Sequence, residues 1–245
     1  MASLEDLLMA MDRDGVDYSV VCGFPWKDPG LCRWGNDYLL DCSRRTRRII
    51  PFACLPLSSL HQAQKELGRS LSGGMQGIGE MAFYSRGLSA TDVQRLSSIV
   101  TPLSGTEIPF LLHTNEPLGH DYPGKSLKSL QPVYQLLGLI PEVNVILAHW
   151  GGGFFFYELM PEVARAARRV FYDTAASPFL YRPDIYSLAV KIVGPDRVLF
   201  GSDFPLLPPA RYFRELEGTP LPEKVQRKIK GLSARRFLFR KLFGR

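Results

Sequence analysis

The sequence predicts an α/β protein, a (β/α)8 barrel that lacks its first strand. Three observations carry this prediction: strand-like apolar runs recur along the chain, segments with helical spacing lie between them, and a helix precedes the first run. Near-continuous apolar strands that alternate with helices are typical of a parallel sheet covered by helices. The 245 residues suit one barrel, so we expect a single domain over residues 1–245.

Seven runs rich in β-branched and aromatic residues, bounded by turn signals, predict the strands. They are VDYSVVCG from Val16, IIPFACLPL from Ile49, GIGEMAFY from Gly77, PFLLHT from Pro109, VNVILAHW from Val143, VFYDTAA from Val170 and RVLFGSDFP from Arg197. A complete barrel needs eight strands. One strand is therefore expected to be missing, because the natural chain starts further upstream or because a partner or another segment fills the gap.

The segments between these runs show the spacing of amphipathic helices. They cover residues 60–71, 91–99, 126–137, 157–168 and 183–192. Residues 4–11 predict an opening helix, in the place of the helix that would normally follow strand one. Residues 222–242 predict one long closing helix, which completes the order of helix first and then seven strand–helix units.

Composition excludes several classes of protein. Hydrophobic residues make up 45% of the chain and charged residues 22%, which supports a large core and argues against disorder. Acidic residues interrupt the first 19 positions, so a secretory signal is not expected, and no run is long enough to span a membrane. The cysteines at 22, 32, 42 and 54 form no CxxC pair and are expected to be reduced structural thiols. We therefore expect a cytoplasmic protein.

The net charge of +6 is concentrated at the carboxyl end of the chain. Residues 221–245 contain nine Lys or Arg and a single acidic residue, Glu223. Such a tail can attract nucleic acid or anionic lipid, but it is more often the solvated face of a terminal helix. We expect no membrane partner and no nucleic-acid partner.

Reactive side chains stand at the ends of three predicted strands. His113 is the next-to-last residue of the run PFLLHT, His149 is the next-to-last residue of VNVILAHW, and Asp203 lies in RVLFGSDFP. The carboxyl ends of barrel strands meet around one mouth, so these side chains are expected to converge. Two imidazoles and a carboxylate are a suitable set for zinc or a similar divalent ion, with positions left for water and substrate. Singly, each could equally cap a loop or hold a turn.

The motifs GIGEMAFY, LLHTNEPLGHDYPGK, VILAHWGGG and LFGSDFP resemble, in order and spacing, the amidohydrolase-related branch of the metal-dependent hydrolase superfamily. That branch includes enzymes similar to aminocarboxymuconate-semialdehyde decarboxylase. The closing segment KIKGLSARRFL also resembles the family, with Ser233 where asparagine is usual. The likeness covers nearly the whole chain and implies a barrel of the metal-dependent hydrolase type.

The resemblance implies a role for each strand-end residue. His113 matches a metal-binding histidine, His149 matches a histidine that binds metal or assists catalysis, and Asp203 matches an aspartate that contacts metal and handles the proton of the attacking water. Glu80, in GIGEMAF, resembles a metal ligand of the nuclease branch, although a buried barrel carboxylate is an equal alternative. The predicted metal ligands are thus His113, His149, Asp203 and Glu80, with Asp203 and His149 catalytic.

The chain departs from the family at the first strand, because the HxH pair that supplies two metal ligands occurs nowhere in it. Fewer donors should weaken metal binding. His61 lies in a helical stretch and is expected at the surface. His120 and Trp26 are predicted to contact substrate, although a loop histidine and ordinary aromatic packing are the simpler alternatives.

The leading functional prediction is a metal-dependent hydrolase that acts on a small organic substrate through metal-activated water, with zinc as the expected ion. One alternative is a non-oxidative decarboxylase of the same superfamily, and another is a catalytically silent barrel that serves as a binding subunit. A nuclease is disfavoured, because aromatic residues are not interleaved with the basic ones of the tail. A homodimer is expected from the resemblance and the open sheet edge.

Overall fold

A computed structural model describes residues 2–84, 86–122, 125–126 and 130–238. Within these residues the seven predicted strands form one sheet, and neighbours along the chain pair in parallel from first to last. The strands are β1 (Ser19–Cys22), β2 (Ile49–Ala53), β3 (Gly77–Met81), β4 (Phe110–Leu112), β5 (Val145–Leu147), β6 (Val170–Asp173) and β7 (Val198–Leu199). The predicted barrel that lacks one strand is confirmed.

Eleven α-helices accompany the sheet in the described residues. They are α1 (Leu4–Asp14), α2 (Pro29–Arg45), α3 (Leu60–Gly73), α4 (Ala90–Val100), α5 (Gln131–Leu139), α6 (Pro161–Ala166), α7 (Ser177–Leu180), α8 (Asp184–Val193), α9 (Pro209–Glu217), α10 (Glu223–Arg227) and α11 (Ser233–Leu238). Several begin at side chains that accept hydrogen bonds from the first turn. Ser3 with Asp6, and Ser89 with Asp92, form complete capping boxes at α1 and α4.

Helices α2 and α9 were not among the predicted elements. Both begin with proline in the first turn, and α2 is capped by Asp28, whose Oδ1 accepts from Leu31 N at 2.8 Å. Proline near the start and an aspartate cap are helix signals that the sequence contained. The mean hydropathy of both segments is low because charged residues are frequent in them, and the sequence pattern therefore did not predict these helices.

Two predicted helices differ in the structure. Residues 157–168 do not form one helix, because 3-10 turns cover His149–Leu159 and α6 begins only at Pro161. The predicted closing helix over 222–242 is divided into α10, a wide π turn at Lys228–Leu232, and α11. Gly231, with non-helical backbone angles, lies inside that turn and accounts for the break. Residues 239–242 lie outside the described part.

Alternate strand residues divide the apolar core into two main layers. One set faces the helices and includes Ile78, Phe110, Val145, Tyr172 and Val198, which pack in the large cluster beneath α3, α4, α5 and α8. The opposite set fills the interior of the barrel, as described by a second cluster. Its strand members are Ile50, Phe52, Leu111, Ile146 and Leu199, and Ala148 follows β5 directly. This alternation is what a curled parallel sheet requires.

The described sheet stays open between β1 and β7, which are its two end strands. Helix α11 contacts β7 and sends Phe237 into the interior cluster, where Ala234 and Leu238 also pack. Barrel helices ordinarily form an outer ring, so the entry of a helical side chain into the interior departs from that arrangement. Phe237 lines a cavity together with Asn144 and Arg169, which precede β5 and β6, so α11 covers the amino-terminal end of the barrel.

Two further predictions can be compared with the structure. All four cysteines are free thiols, as expected. No helix in the described ranges is long and apolar enough to cross a membrane. The division of the chain into one domain stays a prediction.

Candidate metal centre

Three predicted site residues meet at the carboxyl ends of neighbouring strands. Glu80 lies in β3, His113 follows β4 and His149 follows β5. Each offers a ligand atom, and these atoms lie within 4.8 Å of one another. Glu80 Oε1 is 2.8 Å from His113 Nδ1 and 3.7 Å from His149 Nε2. The structure therefore brings the carboxylate of GIGE and both strand-end imidazoles to one point.

A bulge in β3 aims Glu80 at this point. Ile78 pairs with Phe110 and Met81 with Leu112, so β3 contains one more residue than β4 over the same stretch. A bulge of this kind redirects a side chain from the regular alternation. Gly79 is required there, because its φ is +124° and a Cβ would collide with the carbonyl oxygen of Leu111. The sequence contained the signal as two glycines within GIGE.

One ring nitrogen of His113 has a hydrogen-bond partner, and the other has none. Nδ1 faces Glu80 Oε1, while Nε2 is buried and has no hydrogen-bond partner. The backbone N–H of His113 donates to Met81 O at 2.9 Å, which fixes the residue against β3. A buried ring nitrogen without a partner is uncommon, and it is consistent with a position meant for a further ligand.

His149 is held in a left-handed conformation by hydrogen bonds on both its backbone and its ring. Its φ is +56°, its N–H donates to Asp173 Oδ1 at 2.9 Å, and ring Nδ1 lies 3.2 Å from Ala175 O. A carbonyl can only accept, so Nδ1 carries the proton, and Nε2 points toward Glu80. This contact sets the tautomer that a metal-binding imidazole needs.

The three glycines after His149 allow the chain to turn sharply. Trp150, Gly151, Gly152 and Gly153 all have positive φ. A Cβ on Gly152 would overlap the backbone of Asn115, and one on Gly151 would press on the ring of Tyr172. The loop therefore passes very close to the strand-end segments on either side, which keeps His149 at the mouth.

Charge interactions strongly shift the pKa values of Glu80 and His149. Burial alone would raise the pKa of Glu80, but hydrogen bonds and positive charge from His113 and His149 bring that pKa well below its usual range. Burial opposes protonation of His149, yet Glu80 outweighs it and raises the pKa of His149 to about 10. Glu80 and His149 thus stabilise each other's charged forms, and a metal ion that binds Nε2 of His149 would displace the proton from it.

Asp203 lies near this cluster but is not part of the set within 4.8 Å. It is an exposed residue in a turn after β7, with φ +53°. Loss of hydration raises its pKa, and the charge of Glu80 acts in the same direction while His149 opposes it. The charge of Asp203 interacts with those of His149, Glu80 and His113, and no hydrogen bond joins Asp203 to these three side chains in the described residues. A proton-handling group is consistent with this position.

The two predicted substrate residues differ in their surroundings. Trp26 is part of an aromatic group beside the mouth, since its ring lies 4.7 Å from that of Phe24. His120 is exposed, with its ring 5.9 Å from that of Tyr122, and its carbonyl accepts from Lys125 Nζ at 2.8 Å. Substrate contact by either residue stays a prediction.

Several residues near the site were not singled out from the sequence. Asp173 accepts from the N–H groups of His149 and Ala175, and burial, reinforced by the charge of Glu80, raises its pKa to about 6. Cys22 lies at the end of β1, where burial and then the charge of Glu80 raise its pKa to about 12. Asp173 is the last residue of β6, within the predicted run VFYDTAA, so its position at a strand end was the available signal.

The donor set suits a divalent metal ion. A carboxylate and two imidazoles are ligands that zinc, manganese and iron accept, and three protein donors leave room for substrate. The unpartnered His113 Nε2 and the oriented Nε2 of His149 are the structural observations in favour. A divalent metal site is therefore supported by the geometry, whereas zinc as the particular ion stays a prediction.

Comparison with known protein families gives one match over almost the whole chain. A family profile described as amidohydrolase matches residues 1–240. Gamma-resorcylate decarboxylase of Rhizobium radiobacter is 27% identical over 256 aligned positions, which cover 88% of this chain and 77% of that protein. The 6-methylsalicylic acid decarboxylase of Penicillium expansum is 30% identical over 44% of this chain and 39% of its own length.

Solved structures show the same fold at lower identity. A 2,6-dihydroxybenzoate decarboxylase complexed with 2,6-dihydroxybenzoate has a TM-score of 0.75 at 19% identity, covering 97% of this chain and 88% of that chain. A dihydroxybenzoic acid decarboxylase from Polaromonas, with bound manganese and the inhibitor 2-nitroresorcinol, has a TM-score of 0.78 at 19% identity over 97% and 86% of the two chains. These likenesses support the barrel architecture.

Proposed function

This chain belongs to the amidohydrolase family, and on that premise we propose that it is a metal-dependent, non-oxidative decarboxylase of a small carboxylic acid. The predicted enzyme class, a metal-dependent hydrolase or carbon–carbon lyase, is confirmed by the family and its decarboxylase relatives. The comparisons favour the decarboxylase alternative over the hydrolase that led the sequence-based prediction.

The meeting of Glu80, His113 and His149 carries the proposal. These three side chains would hold the metal ion, and a bound divalent cation would bind substrate oxygen and stabilise negative charge there. The site offers fewer donors than the family pattern with HxH, so we expect weaker metal binding than in a fully ligated centre. Zinc is our first choice, and manganese is the alternative, since one related structure contains it.

Asp203 would handle the proton of the reaction. Decarboxylation breaks the bond between the carboxylate carbon and the substrate carbon, releases CO2, and leaves the electron pair on the substrate carbon. A proton must replace the lost group, and Asp203 has a raised pKa beside the cluster, which favours a protonated acid. After transfer to carbon, Asp203 regains a proton from water, so the cycle balances without an oxidant or reductant.

His149 would be positioned by its neighbours rather than free to move. Asp173 holds its backbone N–H and Ala175 O holds Nδ1, so Nε2 keeps one orientation toward the site. A fixed imidazole loses little conformational freedom when a substrate arrives. We assign His149 to metal binding and to stabilising charge during the reaction, and we keep His120 and Trp26 as candidate substrate contacts.

Metal-dependent turnover tests the proposal. Dialysed protein would be assayed with Zn2+, with Mn2+ and without metal, against 2,6-dihydroxybenzoate, an aliphatic β-keto acid and a panel of lactones and amides. We expect CO2 release that requires metal and is lost in Glu80→Gln, while hydrolysis of lactones and amides stays at the background rate. Metal-dependent hydrolysis without CO2 release would restore the hydrolase prediction.

Absence of turnover together with a metal content well below one ion per chain would instead support the silent barrel. Metal content by elemental analysis separates these cases, since a competent site should retain close to one ion per chain. A homodimer and a cytoplasmic location stay predictions, and light scattering of the purified protein would test the first.

A further inference from the structure

A buried carboxylate without a hydrogen-bond partner lies in the loop that follows β4. Both carboxylate oxygens of Glu116 are buried, and neither receives a hydrogen bond within the part of the chain that the structure describes. Glu116 comes three residues after His113, so the Cα atoms of these two residues are at most about 11 Å apart. Burying a carboxylate without a donor costs free energy, and such a group is consistent with a site whose partner is a ligand.

Asn115 fixes the loop around Glu116. The side-chain Nδ2 of Asn115 donates to Ser126 O at 2.7 Å, and its Oδ1 accepts from Ser126 N at 3.1 Å, which joins the two ends of the loop. The backbone of Asn115 also lies against Gly152, in the loop that follows His149. Glu116 is therefore held close to the metal centre before any ligand binds, which reduces the entropy lost on binding.

Two tyrosines are neighbours of this carboxylate. Burial and then the negative charge of Glu116 raise the pKa of Tyr122 to about 12, and the same two causes raise the pKa of Tyr181. The Tyr181 hydroxyl lies next to Glu116 but outside hydrogen-bond geometry, and it would be 3.6 Å from a Cβ built on Gly153. Both rings are partly exposed, so they form the side of the site that faces solvent. A carboxylate flanked by aromatic rings is a suitable set for an ammonium group.

Lys125, a buried lysine of the same loop, does not pair with Glu116. Its Nζ donates to the carbonyl oxygens of Leu118, Gly119 and His120, at 2.9, 3.0 and 2.8 Å. An ammonium group has three hydrogens to donate, so these bonds use all of them. Since no other described donor reaches Glu116 either, its carboxylate stays available to a cation from outside the chain.

We propose that Glu116, together with Tyr122 and Tyr181, forms an ammonium site that binds the protonated amine of a carboxylic acid whose acid group lies at the metal centre. The proposal rests on the proposed function and names the substrate class of the same mouth as acids that carry an amine. The ammonium group would donate hydrogen bonds to the carboxylate oxygens, and the faces of the two rings would attract its charge. An acid without an amine would leave Glu116 unpaired, so the same residue discriminates against it.

Paired acids of equal chain length test this inference by binding rather than by turnover. Hexanoate and 6-aminohexanoate have the same carboxylate, but only the second ends in an ammonium group. Pairs with shorter and longer chains would be included, because the separation of the two groups has an upper bound only. Isothermal titration calorimetry of the Mn2+-loaded protein would give each dissociation constant. At the best chain length, we expect the amino acid to bind about tenfold or more tightly than its partner.

Glu116→Gln should abolish this preference. We expect it to weaken the amino acid about tenfold or more and to change the amine-free acid less than twofold, because the amide keeps the shape of the side chain but not its charge. Thermal unfolding without ligand gives a second readout. Glu116→Gln should raise the Tm, since it removes a buried charge that has no partner, whereas a structural role for the carboxylate would lower the Tm.

Glu107→Gln is the matched control, because Glu107 precedes β4 and so lies at the opposite end of that strand from Glu116. It should leave all dissociation constants unchanged. No preference for the amino acid at any chain length, equal loss of both acids in Glu116→Gln, the same loss in Glu107→Gln, or a lower Tm of Glu116→Gln would overturn the proposal. Circular dichroism of each variant would establish that the fold is kept.

The result separates this inference from the proposed function. A preference for the amino acid that depends on Glu116, in a protein that releases no CO2 from any acid, would support the ammonium site and reject the decarboxylase. Metal-dependent CO2 release with equal KM for paired acids with and without an amine would support the decarboxylase and reject the ammonium site.

Discussion

The ring of Phe237 stacks on that of Phe171, with centroids 3.9 Å apart and planes 21° apart. Phe171 belongs to β6, and Phe237 belongs to the last described helix, α11. Their contact joins the end of the chain to the interior of the barrel. It shows that a helix covers part of the apolar interior of the sheet.

Phe237→Ala should therefore destabilise the protein although it lies far along the chain from any site residue. Phe237 is only 9% exposed, and removing a buried aromatic side chain costs about 3 kcal/mol or more in free energy of unfolding. Urea denaturation would measure the loss. Phe179→Ala, at a side chain that is 53% exposed, serves as control and should change stability by less than about 1 kcal/mol. Equal stability of both variants would mean that α11 does not support the barrel.

Glu80→Gln and Asp203→Asn should affect the metal centre differently. Glu80 lies within the ligand set, so its neutral amide should weaken Mn2+ binding about a hundredfold or more. Asp203 lies outside that set, so Asp203→Asn should weaken binding by less than about tenfold but reduce kcat by about 10²–10⁴-fold. Titration calorimetry and steady-state kinetics would measure these effects. Metal loss in Asp203→Asn as severe as in Glu80→Gln would make Asp203 a ligand instead.

Gly152→Ala should disturb the loop that holds His149. Gly152 has φ +58°, and a Cβ there would overlap the backbone of Asn115, which cannot move as a flexible side chain could. Backbone strain of this kind costs about 2 kcal/mol or more, and we expect weaker metal binding as well. Thermal unfolding and metal titration would show both effects.

Gly15→Ala is the control for Gly152→Ala. Gly15 has a similar φ of +71°, but nothing lies within 4 Å of the added Cβ. Only the left-handed conformation is penalised there, at about 1 kcal/mol, and metal binding should be unchanged. If the two alanine variants behave alike, close approach to Asn115 is not what requires Gly152.

Asp92 should make stability depend on pH in the acid range. Burial alone would raise the pKa of Asp92, but hydrogen bonds from Arg86 and Ser89 lower that pKa to about 2, from 3.8 in the unfolded chain. The unfolded chain therefore binds the proton first, so the stabilisation is present above about pH 4 and is lost as pH falls toward 2.

Asp92→Asn should reveal this contribution. We expect a loss of about 1–2 kcal/mol at pH 7, because Arg86 is more than half exposed and solvent screens part of the interaction. The stability difference from the unmodified protein should shrink below pH 4 in urea titrations at several pH values. A constant difference between pH 2 and 7 would contradict the assignment.

The sequence by itself was sufficient to predict the strand order and the convergence of His113 and His149. Apolar strand runs and strand-end positions are local properties, and parallel strands necessarily bring their carboxyl ends to one edge. The sequence pattern does not predict α2 because its buried positions lie among charged ones, and it predicts too long a closing helix because helical spacing continues on both sides of Gly231. The family resemblance, which the profile match confirms, also came from motifs legible in the chain.

Tertiary structure alone decided which carboxylate joins the two imidazoles. Sequence reasoning left the role of Glu80 open and grouped it with Asp203, but the bulge in β3 turns Glu80 into the cluster while Asp203 stays outside the 4.8 Å set. The entry of Phe237 into the barrel could likewise not be predicted, because it joins residues from distant segments of the chain. Contacts of that kind depend on how the strands curl and where the sheet is open. The spacing of residues along the chain determines neither of these.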